Sequence, residues 1–450
     1  MEKRGSGLSA WGLTMMALGT VIGGSFFLGS AIAIRSAGPS ILLAYILGGV
    51  LVYLVLYALS EMTVADAAPG SFRTFSERAF GPGIGFITGW VYWTGLILAM
   101  SSEAVAASVF LQTWFPQISI PAAGTAIIVL ITLANLLGAE KLSKLEGSLA
   151  AVKILAIVGF IVLGLALLSG LFPGKPAAGY GILGEGRLFP TGVGGFAGSM
   201  LIVMFAYAGF ELIGLASSET KNPHKTVPRA ITYTVVSLVG LYVLSVAVLL
   251  PLIPSSGVSE RISPMVAALS GAGIGWAASA VNFVLLTAIL STMLAATFGL
   301  ARMLRSLADE GHAPGLLKET GDTPYRCILF SGASILVGFV LAFMLPEQVY
   351  LFLVSSGGFS LLFSYFIIVS THFRFRREHG CPPKGRCQLP LYPYSSWVSL
   401  AGILVIIACM PLIPGQGSGL AAGLFLLVFY WACYLVKRHR KRKWINFGKI

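Results

Sequence analysis

Gly19-Thr20-Val21-Ile22-Gly23-Gly24-Ser25 lies in the middle of the first apolar stretch, Trp11 to Ile34. The stretch is long enough to span a bilayer. Yet its midpoint carries three glycines, a Thr and a Ser where a simple anchor carries Leu and Val. Glycine costs about 1 kcal/mol relative to Ala in a helix interior and lets the backbone leave helical dihedrals. Backbone groups left unpaired at membrane depth are tolerated only inside protein or against a water-filled cavity. Two readings are open from this helix alone. Either it breaks at the bilayer centre to build a binding site from backbone, or its small residues let two helices pack closely.

The rest of the chain sets the context. It has 450 residues, 56% hydrophobic and 10% charged, with a mean hydropathy of +0.86. This is the composition of an all-α integral membrane protein with many spans. Apolar runs recur at roughly 10–34, 40–62, 84–113, 121–138, 148–170, 193–217, 227–252, 272–303, 327–345, 348–371, 396–413 and 418–436, which predicts 12 transmembrane helices. The first stretch is too long for a cleaved signal and is read as a retained span. The loops leave no room for a sizeable soluble domain.

The net charge of +13 points to a membrane surface rather than to nucleic acid. With both termini cytoplasmic, 25 of the 30 Lys and Arg fall on the cytoplasmic side. Only Arg35, Lys175, Arg187 and Arg261 fall outside, and Lys153 lies within a span. That asymmetry is a positive-inside signal for a multi-pass protein of the plasma (inner) membrane. The basic tail from Lys437 to Lys443 then faces anionic lipid headgroups. Cys381 and Cys387, with His372 and His379 nearby, fall on the reducing cytoplasmic side at a spacing that matches no zinc module. Neither a metal nor a cofactor is expected.

A second anomaly repeats the first. Span 6 reads Phe205-Ala206-Tyr207-Ala208-Gly209-Phe210-Glu211, small residues and an acid in mid-membrane. Gly23 and Gly209 are 186 residues apart, and five spans begin at each. Five is odd, so the second set runs in the opposite topology. Corresponding breaks in two inverted halves point to a transport site at the bilayer midplane. The organisation follows: a cytoplasmic N-terminus (1–8), a first repeat of five helices (9–170), an extracellular loop (171–192) and a second repeat (193–371). After these come a cytoplasmic loop (372–395), two peripheral helices (396–436) and the tail (437–450).

Chemistry follows from the breaks. A half-helix beginning at Gly24-Ser25 exposes free N–H groups that suit a carboxylate. The half-helix ending near Gly19 and the broken part of span 6 expose carbonyls that suit an ammonium. Donors on one side and acceptors on the other fit a zwitterion, and an α-amino acid is the smallest common one. The expected substrate-binding residues are Thr20, Val21, Ile22, Gly23, Gly24, Ser25, Phe205, Ala206, Tyr207, Gly209 and Glu211.

At this point the chain resembles a known family. Gly19–Ser25, Arg35-Ser36-Ala37-Gly38-Pro39, Ser60-Glu61-Met62, Pro69-Gly70-Ser71-Phe72 and Gly89-Trp90-Val91-Tyr92-Trp93 are similar to motifs of the amino-acid permeases of the amino acid–polyamine–organocation (APC) superfamily. So are Phe205–Glu211, Glu219–Ile231, Arg302-Met303-Leu304 and Asp309-Glu310-Gly311-His312-Ala313-Pro314. The match covers about residues 8–372; spans 11 and 12 agree only in apolar character. The resemblance implies a LeuT-type fold, two inverted five-helix repeats plus two peripheral helices, and secondary active transport of amino acids. Ser25-Phe26 departs from the commoner Gly followed by an aliphatic or aromatic residue.

Charges within the membrane each cost about 2.5–3.5 kcal/mol on insertion scales and need a reason. Lys153 lies about six residues, roughly 9 Å, into span 5. From position alone its stem could snorkel to the headgroups. The resemblance implies instead that its ammonium replaces a sodium ion between helices 1, 5 and 8. Protons are then the coupling ion, with the Gly19 carbonyl and Ser291 as neighbours of Lys153. Glu211 is open between a structural bond at the break and a role in the substrate or proton path. Glu103 is open between site periphery and helix packing, and Glu61 reads as structural. Phe205, Tyr92 and Trp93 are candidate cavity walls.

All five histidines fall in predicted cytoplasmic segments. That removes the Ser–His and zinc chemistries an intramembrane hydrolase would need, so no enzyme is expected. A channel needs no paired inverted breaks, and a transporter-like receptor would carry a longer cytoplasmic tail. The reading is proton-coupled uptake of neutral amino acids, with cationic amino acids or polyamines as the second substrate class.

Overall fold

The computed structural model describes residues 9–66, 68, 70–171, 179–211, 213–214, 220, 222–259, 262–321, 323–343, 349–381 and 389–447. The N-terminal segment 1–8, Pro69, Lys175, Glu219, Lys221, Arg261 and Cys387, which the sequence reading uses, lie outside them. The described residues are 82% helix, with no strand among them.

The first apolar stretch is three helical pieces: α1 (Ala10–Val21), α2 (Gly24–Phe27) and α3 (Gly29–Ala37). The Ser9 hydroxyl caps α1 by accepting from the Gly12 N–H at 3.1 Å. After α3 the chain turns at Gly38, whose φ of 58° suits glycine, into α4 (Ile41–Ala65). Next come the short α5 (Phe72–Phe80), then α6 (Pro82–Gln112), α7 (Ile120–Asn135) and α8 (Ala139–Leu168). The second half comprises α9 (Gly192–Ala206), α10 (Pro223–Leu252), α11 (Pro264–Gly271), α12 (Gly275–Asp309), α13 (Tyr325–Ala342) and α14 (Val349–His379). Finally α15 (Tyr394–Cys409) and α16 (Gln416–Phe447) close the chain.

Among the described residues, eight helical runs are long and apolar enough to cross a membrane, with four shorter apolar helices beside them, Ala10–Val21, Ile120–Asn135, Gly192–Ala206 and Tyr325–Leu341. The helix of span 6 is interrupted after Ala206, inside its expected 193–217, and residues 213–214 are helical again.

The distribution of polarity is inverted relative to a water-soluble protein. Leu130, Leu155, Val236, Phe425 and Val428 stand exposed on helix faces, while Glu61, Arg73, Glu103, Lys153, Glu211 and His372 are buried. Exposed apolar surface of this extent is stable only against lipid. Buried charge persists only when paired and hydrogen-bonded. These observations define a multi-pass membrane protein.

Two buried clusters hold opposite ends of α4. Near its start, Tyr45 packs edge-on against Phe26, Tyr207 and Tyr242, and Phe26 stacks on Tyr242 with centroids 3.8 Å apart. Near its end, the Glu61 carboxylate lies 2.7 Å from His372 Nε2 and accepts from the Leu389 N–H at 2.7 Å and Arg376 Nη1 at 3.3 Å. The structural reading of Glu61 fits this contact. His372, placed by sequence in a cytoplasmic segment, is fully buried against Glu61, on α14, which continues as helix to His379. Cys381, read from sequence as lying on the reducing cytoplasmic side, is disulfide-bonded. Lys437, at the start of the basic tail, donates to the Gly311 carbonyl.

Candidate functional site

The interruption in the first stretch falls between Val21 and Gly24. The Ile22 N–H still bonds to the Leu18 carbonyl at 3.1 Å, but Ile22 (φ −75°, ψ 97°) and Gly23 (φ −140°, ψ −166°) are extended. Breaking the helix strands carbonyls on one side and N–H groups on the other, and each must find a partner. Three side chains from three other helices supply them. Lys153 of α8 donates its Nζ to the Gly19 carbonyl. The Thr292 hydroxyl of α12 donates to the Ile22 carbonyl at 3.0 Å and lies 3.2 Å from Lys153 Nζ. Glu103 of α6 accepts from the Gly24 N–H at 2.8 Å and the Ser25 N–H at 3.0 Å.

Lys153 is 1% exposed. Its ammonium therefore ends at the break, not at the headgroups. The Gly19 partnership is present, and Thr292 joins it. Ser291, its neighbour on α12, is also buried. Sequence pointed to Ser291 alone; Thr292 lies one helical position, about 100° of rotation, further on.

The second interruption follows α9. Residues Tyr207 to Glu211 form turns, with Gly209 at φ +106°. The Ala206 carbonyl is taken by the Tyr242 hydroxyl at 3.2 Å. Glu211 bends back to accept from the Gly209 N–H at 3.1 Å, and also from the Tyr92 hydroxyl at 2.8 Å and the Tyr365 hydroxyl at 3.3 Å. Tyr365 lies far along the chain in α14, and sequence gave no reason to single it out.

The two interruptions meet. A Cβ on Gly209 would sit 3.1 Å from the Thr20 carbonyl oxygen, on a backbone that L side chains rarely adopt. Gly209→Ala should therefore cost about 1–3 kcal/mol from strain at that φ and push the two breaks apart. A lowered melting temperature in detergent together with weaker ligand binding is the expected result; unchanged values for both would contradict it.

Between the breaks lies a cavity enclosing ≈ 40 Å³ of space that the centre of a water molecule can reach, room for roughly three waters. Of the residues expected to bind substrate, Thr20, Val21, Ser25, Phe205, Gly209 and Glu211 line it, as do Tyr92 and Glu103. Ile22, Gly23, Gly24, Ala206 and Tyr207 do not. Ile22 and Ala206 contribute carbonyls to Thr292 and Tyr242, the Gly24 N–H is held by Glu103, and Tyr207 donates its hydroxyl to the Tyr45 carbonyl at 3.0 Å. Gly23 packs against Thr292, 3.0 Å from a Cβ built on it. Trp93 turns away to donate to the Ser331 hydroxyl at 3.2 Å. The remaining walls, Gly95, Leu96, Ala99 and Met100 of α6, Ala208, Ala296 of α12, and Gly357 and Leu361 of α14, were not singled out. Small and apolar residues in spans carry no signal of which face they occupy.

A multi-pass helical membrane protein with a mostly apolar cavity, carrying a few polar groups, between two interrupted helices has the architecture of a permease. The chain belongs to the amino acid permease family, whose model matches residues 12–446. It is 34% identical over 416 residues to the amino-acid permease AapA of Bacillus subtilis, covering 91% of this chain and 90% of that one. It is 33% identical over 444 residues to the probable GABA permease of Pseudomonas aeruginosa, covering 97% and 93%. To the gamma-aminobutyric acid permease of Escherichia coli it is 32% identical over 419 residues, covering 92% and 90%.

Proposed function

We propose that the chain is a secondary active transporter of the plasma membrane that takes up neutral amino acids with protons. Twelve spans in two inverted five-helix repeats, with both termini cytoplasmic, is the topology that goes with this reading. The substrate carboxylate meets the N–H groups that open α2, its ammonium meets the carbonyls of the two breaks, and the cavity between them takes the side chain. γ-Aminobutyrate, for which two of the relatives are named, is also a zwitterion and belongs to the same chemical class.

The observation that carries the coupling is the position of Lys153. A buried ammonium on the Gly19 carbonyl, 3.2 Å from the Thr292 hydroxyl, stands where a cation would otherwise stabilise the break. Losing its proton would loosen that bond, which ties proton occupancy to the geometry of the first interruption.

The test is uptake into proteoliposomes of the twenty common amino acids, β-alanine and γ-aminobutyrate, with and without an inward pH gradient. The expected result is accumulation of small neutral amino acids that collapses with the gradient. Equilibration that ignores the gradient would replace symport by exchange, and uptake of none would sink the reading. Arginine and putrescine belong in the panel because Glu103 and Glu211 bring two carboxylates to the cavity wall.

A further inference from the structure

We infer that Glu103 is a resident stand-in for the substrate carboxylate, and that substrate binding displaces it from the backbone of the first break. The inference rests on the transport reading and specifies how its site is occupied between turnovers. The two N–H groups expected to receive a ligand carboxylate already hold one. Glu103 reaches across from α6 and takes both, at 2.8 and 3.0 Å. Its side chain also lines the cavity, together with Ser25 and Thr20, so the carboxylate lies at the boundary between break and ligand space. The fit is close: a Cβ on Gly24 would sit 2.7 Å from Glu103 Oε2.

Two carboxylates cannot share one pair of donors while both are ionised, because like charges at contact distance repel strongly in a medium from which water is excluded. The groups around Glu103 relieve this only in part. Lys153 of α8 and Tyr242 of α10 lie within electrostatic reach. Lys153 is already held at the Gly19 carbonyl. Glu211, on the same cavity, adds a further carboxylate, engaged with Tyr92, Tyr365 and the Gly209 N–H. From α12 come Ile289 and Thr292, which carry no charge. When the substrate carboxylate takes the Gly24 and Ser25 N–H groups, Glu103 swings into the cavity carrying a proton taken up from the bulk solution, so that one proton enters with each substrate carboxylate. Occupancy of the site and protonation of Glu103 are then one event.

Glu103→Gln tests this by binding measurements on the purified full-length protein in detergent, using γ-aminobutyrate and L-alanine as probes. Their decarboxylated counterparts n-propylamine and ethylamine serve as controls, between about pH 5 and pH 8. In the wild type the amino acids should bind more tightly as pH falls and the amines should not. In Glu103→Gln that dependence should flatten. Near pH 8 the variant should bind the amino acids about tenfold more tightly than wild type, because the competing anion that lowered the competent fraction is gone.

Binding that keeps the wild-type pH response in the variant would overturn the inference alone and make Glu103 a permanent cap. A wild type that binds neither amino acid would overturn the transport reading with it. Should the variant not fold, infrared difference spectra of the wild type with 13C-carboxyl γ-aminobutyrate decide the matter. A protein carboxylate band must be lost and a protonated carboxyl band gained on binding; absence of that exchange overturns the inference.

Discussion

Lys153→Met should abolish proton-driven accumulation while leaving exchange of substrate across the membrane in place. The Met side chain has nearly the length of Lys, so the space beside α1 stays filled. What is lost is the ammonium on the Gly19 carbonyl and its contact with Thr292. Thr292 can still satisfy the Ile22 carbonyl, so the break survives with one carbonyl less well paired, a penalty of about 1–3 kcal/mol. In proteoliposomes with an inward pH gradient, uptake should fall from concentrative to equilibrating. Counterflow against preloaded substrate should persist, because the penalty weighs on the break throughout the cycle and no proton has to move for exchange. Full accumulation by the variant would remove Lys153 from the coupling step.

Arg73→Met should be the most destabilising change outside the membrane spans. Arg73, on α5, is fully buried and its guanidinium gathers two helices. It donates to Glu77 at 2.8 Å within α5, and to the Glu310 carboxylate at the end of α12 at 2.5 and 2.7 Å, with the Ser306 hydroxyl at 3.1 Å. Burial, and after it the adjoining Glu310, push the Glu77 carboxyl above its ordinary range, and Arg73 pulls it back. Without the guanidinium two carboxylates face each other. Removing one partner of a buried ion pair costs about 3–5 kcal/mol, and the lower end applies here because Glu77 and Glu310 keep 22% and 37% of their side-chain surface. A clear drop in melting temperature should follow. Most of it should return in the triple variant Arg73→Met, Glu77→Gln, Glu310→Gln. A single variant that melts like the wild type would show that the network carries little.

The sequence carried the location of the site further than its lining. The glycines at 19, 23 and 24 and at 209 announce where helix fails, because glycine in a span has a local meaning. The residues that repair the failure are a different matter. Glu103 and Lys153 were visible because charge in a span always needs a reason. Which backbone group each one meets depends on how α6, α8 and α12 pack against α1, which no local pattern encodes. Thr292, Tyr242 and Tyr365 were missed for that reason: a hydroxyl in a span is cheap and common. Expecting an empty carboxylate site was sound about the donors. It omitted that the chain supplies its own acceptor.

The two clusters that hold α4 differ in what they can sense. Tyr45 and Glu61 are sixteen residues apart, about 24 Å along the helix axis. The cluster around Tyr45 is built of rings whose phenols titrate near pH 10 in water. In the proposed orientation it lies toward the outside, where a cell does not control acidity. Even the exposed Glu185 nearby has its carboxyl held below the usual range by hydrogen bonds from Ser255. The acid–imidazole contact of Glu61 and His372 is fully buried and, in the same proposed orientation, lies toward the cytosolic side. Weather outside the cell thus has little to act on in the fastening of α4, and sensitivity to external protons is left to the cavity itself.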